Sequence, residues 1–181
     1  MEAMRPAGVT NHVSRMLLPP RPYDDMQAYE QALKTERGQL EEALSLVLPC
    51  EPHVVAHGHS IHSFRGDLQR AQAEESRLQA LAGIPFVTPS IAVLEGLKAI
   101  GNPRRIGVLT PYWPPADAII AEFFTACGYE VVASHGLKST GPISVAQFTP
   151  EQIMEGFEAV DTPQVQALVH VGTNLPVSAL T

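Results

Sequence analysis

From His53 to Val171 the chain repeats one pattern, a short apolar run followed by a turn and then a stretch of helical spacing. HVVAHG (53–58), IPFV (84–87), RRIGVLT (104–110), YEVVAS (129–134) and Val165 to Val171 read as strands. Residues 64–83, 90–100, 118–128 and 149–160 read as helices between them. Strands joined by helix-length crossovers cannot pair as hairpins, so they lie parallel in a sheet whose faces are covered by helices. The expected class is α/β with mostly parallel sheets. Local punctuation agrees. Thr88 is placed to cap a helix with Pro89 at its first position, Gly101 falls just past that helix, and Thr149, Pro150 and Gln152 spell a capping box. Upstream, VTNHVSRMLL (9–18) alternates like a strand and is stopped by PPRP (19–22). Tyr23 to Leu48 reads as one long helix, with Leu33, Leu40, Leu44 and Val47 at helical spacing and Gly38 as a weak point.

With 181 residues, 45% of them hydrophobic, the chain can bury a core without disulfides or a structural metal. It is read as one domain, 1–181, built of two halves: about 1–85 plus the C-terminal end, and 86–165. Twelve Lys and Arg against 19 Asp and Glu give a net charge of −7, which leaves no basic face to displace counterions from phosphates. Nucleic acid and anionic membranes are thereby excluded as expected partners, and a small molecule is favoured. No apolar run approaches the roughly 18 to 20 residues of a membrane span. Two cysteines, and a start that does not read as a secretory leader, point to a reducing cytoplasm. Cys50 precedes a strand and Cys127 ends a helix, so both are read as structural.

Two strand ends echo each other. VAHGHSI (55–61) and VHVGTNL (169–175) each run from an apolar strand through glycine and two polar or small residues to an aliphatic. In open α/β sheets ligands sit beyond the carboxyl ends of strands, where glycine permits close backbone approach and exposed N–H groups hold carboxylate oxygens. Facing one another, two such turns would clasp a substrate between them; taken singly, glycine after a strand is ordinary turn punctuation. A third strand end, Leu109 to Trp113, sets the Tyr112 phenol at the same edge, either as a donor to a carboxylate or enediolate or as an aromatic covering the core.

Histidines crowd the first turn as His57, His59 and His62, with His53 nearby and His170 beside the second turn. Three readings stay open for them: rim residues bonded to water or backbone, an acid or base near neutrality with His59 as the candidate, or a metal site on His57, His59 and His62. Arg65 is read as a carboxylate partner or a surface ion pair, Trp113 as a screen over the cleft or as packing. Glu41, Glu42, Glu74 and Glu75 are read as solvated.

GHSIHSFRG (58–66), IPFVTPSIAVLEGLKAIGNPRRIGVLTPY (84–112) and VHVGTNL (169–175) together resemble the Asp/Glu racemase superfamily, and within it the branch of arylmalonate decarboxylase and maleate cis-trans isomerase. The resemblance spans nearly the whole chain. It implies two pseudo-symmetric three-layer α/β halves with the active site between them, and chemistry without metal, flavin or pyridoxal, so no cofactor is expected. It also implies cysteines at the two equivalent turns, positions that fall here on Gly58 and Gly172. His59 and Ser60 fall on the carboxylate-binding turn, Thr173 and Asn174 on its counterpart, and Tyr112 on the family's tyrosine donor. Relative to the family, the first strand and the last β-α units are expected to be missing, and a homodimer would cover the exposed sheet edges.

Neither turn carries a thiol in this sequence. Loss of carbon dioxide from a malonate generates an enediolate without a strong base, so decarboxylation tolerates that loss better than racemisation does. The leading expectation is therefore an enzyme, a cofactor-independent decarboxylase or isomerase acting on a small carboxylic or dicarboxylic acid. Ser60, Tyr112, Thr173 and backbone amides would stabilise the enediolate and His59 would handle the proton. The alternatives are a non-catalytic or truncated carboxylate-binding relative, and a metal-dependent hydrolase built on the histidine cluster.

Overall fold

The computed structural model describes residues 5–17, 26–59 and 61–180, with the side chains of residues 26, 28–37, 178 and 179 set aside. Among the described residues six α-helices and five strands follow in the order α1 (Met26–Val47), β1 (Val55–Ala56), α2 (Leu68–Ala82), β2 (Phe86–Val87), α3 (Pro89–Ala99), β3 (Arg105–Thr110), α4 (Pro114–Ala126), β4 (Glu130–Gly136), α5 (Pro142–Val145), α6 (Pro150–Val160) and β5 (Ala167–His170). Every strand pairing is parallel, as the crossover argument requires. The strands form two small sheets, β1-β2 and β4-β3-β5.

β3 is the axis of the larger sheet, and from Ile106 to Thr110 it is buried throughout. Its side chains alternate between faces, as strand geometry demands. Ile106 and Val108 join Phe123 and Phe124 of α4 and Leu94 and Leu97 of α3 in one apolar cluster; Leu109 joins Ile153 and Val160 of α6 in another. Helices therefore cover both faces of this sheet. Phe64, Phe123, Phe124 and Tyr129 form the aromatic heart of the first cluster, with edge-on contacts at 5.3 Å between Phe64 and Phe123 and 5.6 Å between Phe123 and Phe124. The smaller sheet rests on α1 and α2 through Leu44, Leu78, Ala82 and Phe86, with Leu40 and Val47 packed against them. Leu33 lies outside the described side chains.

Helix boundaries follow from the caps. Asp67 accepts from the Arg70 N–H at 2.9 Å to open α2, and Gly83 closes it in the left-handed region at φ 71°. Thr149 and Gln152 complete the reciprocal box at α6, with bonds of 3.3 and 2.9 Å.

Several sequence expectations are corrected. Residues 9–17 form no strand; they run irregularly over the surface, with the Leu17 N–H bonded to the Gln39 side chain at 3.1 Å. An alternating pattern does not make a strand where no partner edge is offered. α1 passes through Gly38 unbroken. α4 starts at Pro114, earlier than expected, because proline is tolerated in a first turn where no intrahelical N–H bond is needed. Thr88 stands at the start of α3, but its side chain does not cap that helix. β5 pairs with β3 in the larger sheet. No helix among the described residues is long and apolar enough to cross a membrane.

Candidate active site

The second turn is placed by β5. His170 stands opposite Leu109 in the parallel register, and the Val171 N–H continues the ladder to the Leu109 carbonyl at 3.0 Å. That registration carries Gly172 up to Pro111, where an added β-carbon would lie 2.5 Å from the proline Cδ. Leu175 closes the turn by donating to the Gly172 carbonyl at 3.1 Å, and it is buried while Thr173 and Asn174 stay exposed. The second turn and the Thr110-Pro111-Tyr112 strand end are thus in direct contact.

Tyr112 is not a rim residue. It is 6% exposed and belongs to the same buried cluster as Ile61 and Phe64, which follow the first turn, and Val171, which precedes the second. Its backbone is fixed at both ends. The N–H donates to Thr110 Oγ1 at 3.0 Å, and the carbonyl accepts from the Lys138 N–H at 2.7 Å. The Thr110 hydroxyl in turn donates to Asp117 in the first turn of α4. Burial pushes the Asp117 carboxyl upward, opposed by the Thr110 bond and by the charge of His135.

At the first turn, the His57 N–H donates to the Val87 carbonyl at 2.9 Å and prolongs the β1-β2 pairing by one bond. Gly58 is exposed, with nothing within 4 Å of where a β-carbon would stand. Ser60 lies outside the described residues. The rings of His57 and His59 are 6.2 Å apart and those of His59 and His62 4.8 Å, tilted rather than converging. Among the described residues no three His, Cys, Asp or Glu side chains are placed to share a metal ion. Burial lowers His57 to about 4, helped by His59 and opposed by Glu74. His170 is also lowered to about 4 by burial, against its bond to the Gly172 backbone. Both imidazoles are neutral at pH 7.

Other expectations change. Glu75 is not solvated: its Oε2 accepts from the Thr88 N–H at 2.7 Å and the Thr88 hydroxyl at 2.8 Å, which takes that hydroxyl away from α3. Glu74 and Glu41 hold Arg77 at 2.8 and 3.1 Å. Cys127 packs against the main cluster and its thiol is pushed up by burial, but Cys50 is exposed and does not pack. Trp113 packs against that cluster as well. Sequence reasoning missed the Thr110–Asp117 and Ser63–Ser90 pairings, because neither pattern differs from ordinary capping vocabulary.

A family model described as arylmalonate decarboxylase matches residues 29–177. The chain belongs to this family. Maleate isomerase of Alcaligenes faecalis is 24% identical over 88% of this chain and 62% of its own length. A Nocardia farcinica maleate cis-trans isomerase, a cysteine-to-serine mutant with a covalently bound succinylcysteine intermediate, superposes with TM-score 0.74 at 20% identity, over 81% of this chain and 62% of that one. A doubly substituted arylmalonate decarboxylase in liganded form gives TM-score 0.71 at 21% identity, over 82% and 64%. The chain therefore spans a little under two thirds of the length of the relatives it matches, and at these identities the structural likeness speaks for the fold.

Proposed function

We propose that the chain acts on a small carboxylic or dicarboxylic acid without a cofactor, by decarboxylation or isomerisation through an enediolate-like intermediate. The observation that carries this reading is the meeting of Gly172 with Pro111 beside Tyr112, in a chain of the arylmalonate decarboxylase family. It sets the exposed polar turn Thr173-Asn174 next to the tyrosine strand end, and one apolar cluster links that end to the first turn. On this reading the β1-β2 and β4-β3-β5 sheets are counterpart halves and the substrate lies between their turns.

The proposed step balances without a thiol. The bond from the α-carbon to the departing carboxylate breaks, carbon dioxide leaves, and the electron pair enters the remaining carboxylate as an enediolate. N–H groups of the turns, the Ser60 and Thr173 hydroxyls, the Asn174 amide and the Tyr112 phenol hold its oxygens. His59 then delivers a proton to the α-carbon and is reprotonated by water. Gly58 and Gly172 supply backbone where the family's cysteines are expected, so no thiol fixes the face of delivery, and His59 passes the proton through water to either one. Proton NMR in deuterated buffer with phenylmalonate, maleate, aspartate and glutamate tests this. Conversion with deuterium at the α-carbon, and a product of low enantiomeric purity, is the expected result. A product of high enantiomeric purity contradicts the thiol-free protonation.

A second reading is favoured by the glycines at both turns, a carboxylate-binding relative without turnover. Saturable binding of a dicarboxylate by a folded protein that converts none of the four compounds would establish it.

A further inference from the structure

Below the first turn, a cavity of about 510 Å³ opens between α1, α2 and the start of α3. It adjoins the first turn through His57, His62 and Ser63, while Gly58, Tyr112, Thr173 and Asn174 do not line it. Its described charged lining is three arginines, Arg65, Arg70 and Arg77, against one carboxylate, Glu74. Glu74 makes a two-pronged pair with Arg77 at 2.8 and 3.0 Å, and with three arginines to one carboxylate the described lining is net cationic.

Three polar groups on this wall lack partners among the described residues. The Arg70 guanidinium is exposed and makes no ion pair among the described residues. Ser90 is 0% exposed, and its Oγ has no hydrogen-bond partner although its N–H donates to Ser63 Oγ at 3.1 Å. His57 Nε2 is buried and likewise unbonded. A buried polar atom left without a partner is destabilising, so two of them on one cavity wall point to an unmet ligand. Ser90 also lies in the first turn of α3, an eleven-residue helix whose amino end adds partial positive charge to this wall.

We propose that this cavity is a binding site for a small oxyanion, a phosphate or carboxylate group, held by Arg65 and Arg70 and by the Ser90 hydroxyl at the amino end of α3. The anion supplies the acceptors that the wall lacks. His57 borders the site as a neutral ring and reports its occupancy. The proposal is independent of turnover at the strand ends, so either can fail without the other.

Isothermal titration of the full chain with inorganic phosphate, and separately with succinate, tests it. The expected result is a saturable site for at least one of the two anions that is weakened tenfold or more by Arg70→Gln and several-fold by Ser90→Ala and that persists in Asn174→Ala, whether or not succinate also occupies the strand-end turn. Binding of phosphate alone assigns a phosphate ligand; binding of succinate alone assigns a carboxylate. In a parallel NMR titration the His57 ring resonances shift as the anion saturates, and unmoved resonances would overturn the placement. Absence of saturable binding for both anions in folded protein overturns the proposal. So does binding that survives Arg70→Gln and Ser90→Ala together but is lost in Asn174→Ala.

Discussion

Gly172 lies against Pro111 so closely that its own hydrogen is the only substituent the site admits, since a β-carbon would come to 2.5 Å from the Pro111 Cδ and 2.7 Å from its Cγ. The ring is part of the chain leading into Tyr112 and has little freedom to withdraw. Close packing of the second turn on the tyrosine strand end is therefore written into one residue without a side chain. Gly172→Ala is expected to lower stability by about 1 to 3 kcal/mol through overpacking. Gly58→Ala, with open space at the corresponding point of the first turn, should stay within about 0.5 kcal/mol. Urea unfolding of both variants checks the contrast, and equal losses would refute it.

Stability should fall on mild acidification. His57 and His170 are held to about 4 in the fold by burial, against an ordinary value of 6.5. The unfolded chain therefore binds more protons than the native one between these values. Stability contributed by the two neutral rings is present above pH 6.5 and is lost as pH falls through about 4. Unfolding free energies measured from pH 7.5 to 4.5 should decline, and the double variant His57→Gln/His170→Gln should show a flatter profile. An unchanged slope in that variant would contradict the assignment.

The aromatic heart ties the segment after the first turn to α4. Phe64 is 1% exposed and meets both Phe123 and Phe124. Phe64→Ala should cost about 3 to 5 kcal/mol, the range for emptying a buried aromatic site. Thermal and chemical unfolding both report it, and a loss below about 1 kcal/mol would mean that the segment is not packed as described.

The Glu75–Thr88 contact fastens α2 to the entrance of α3 with two bonds to one oxygen. Glu75→Ala leaves the buried Thr88 hydroxyl and N–H unsatisfied and should cost about 1 to 3 kcal/mol. Glu158→Ala, on the exposed face of α6, serves as the comparison and should be nearly neutral. Equal effects would remove the special role of Glu75.

The class of fold was legible in the alternation of strands and helices, and α6 was legible to the residue because Thr149-Pro150-Gln152 is a local signal that nothing distant overrides. β1 and β2 are shorter than their apolar runs suggest: the ladder pairs Val55–Ala56 with Phe86–Val87 and ends one bond later at His57, since a strand extends only as far as its neighbour does. Residues 9–17 misled for the same reason. Glu75 was read as solvated because helical position alone does not tell which neighbour arrives from another element. Thr88 supplied that neighbour from 13 positions away. The arginine-lined cavity was hidden likewise, as Arg65, Arg70 and Arg77 come together only once α2 is laid beside the first turn.

The most direct test of thiol-free carboxylate chemistry uses the double variant Cys50→Ser/Cys127→Ser, with phenylmalonate and maleate followed by proton NMR in deuterated buffer. The account predicts that the variant converts substrate at the wild-type rate, and that adding His59→Gln or Tyr112→Phe reduces the rate at least tenfold. Loss of activity on removing the two cysteines, or a folded wild-type protein that turns over neither acid, would contradict it.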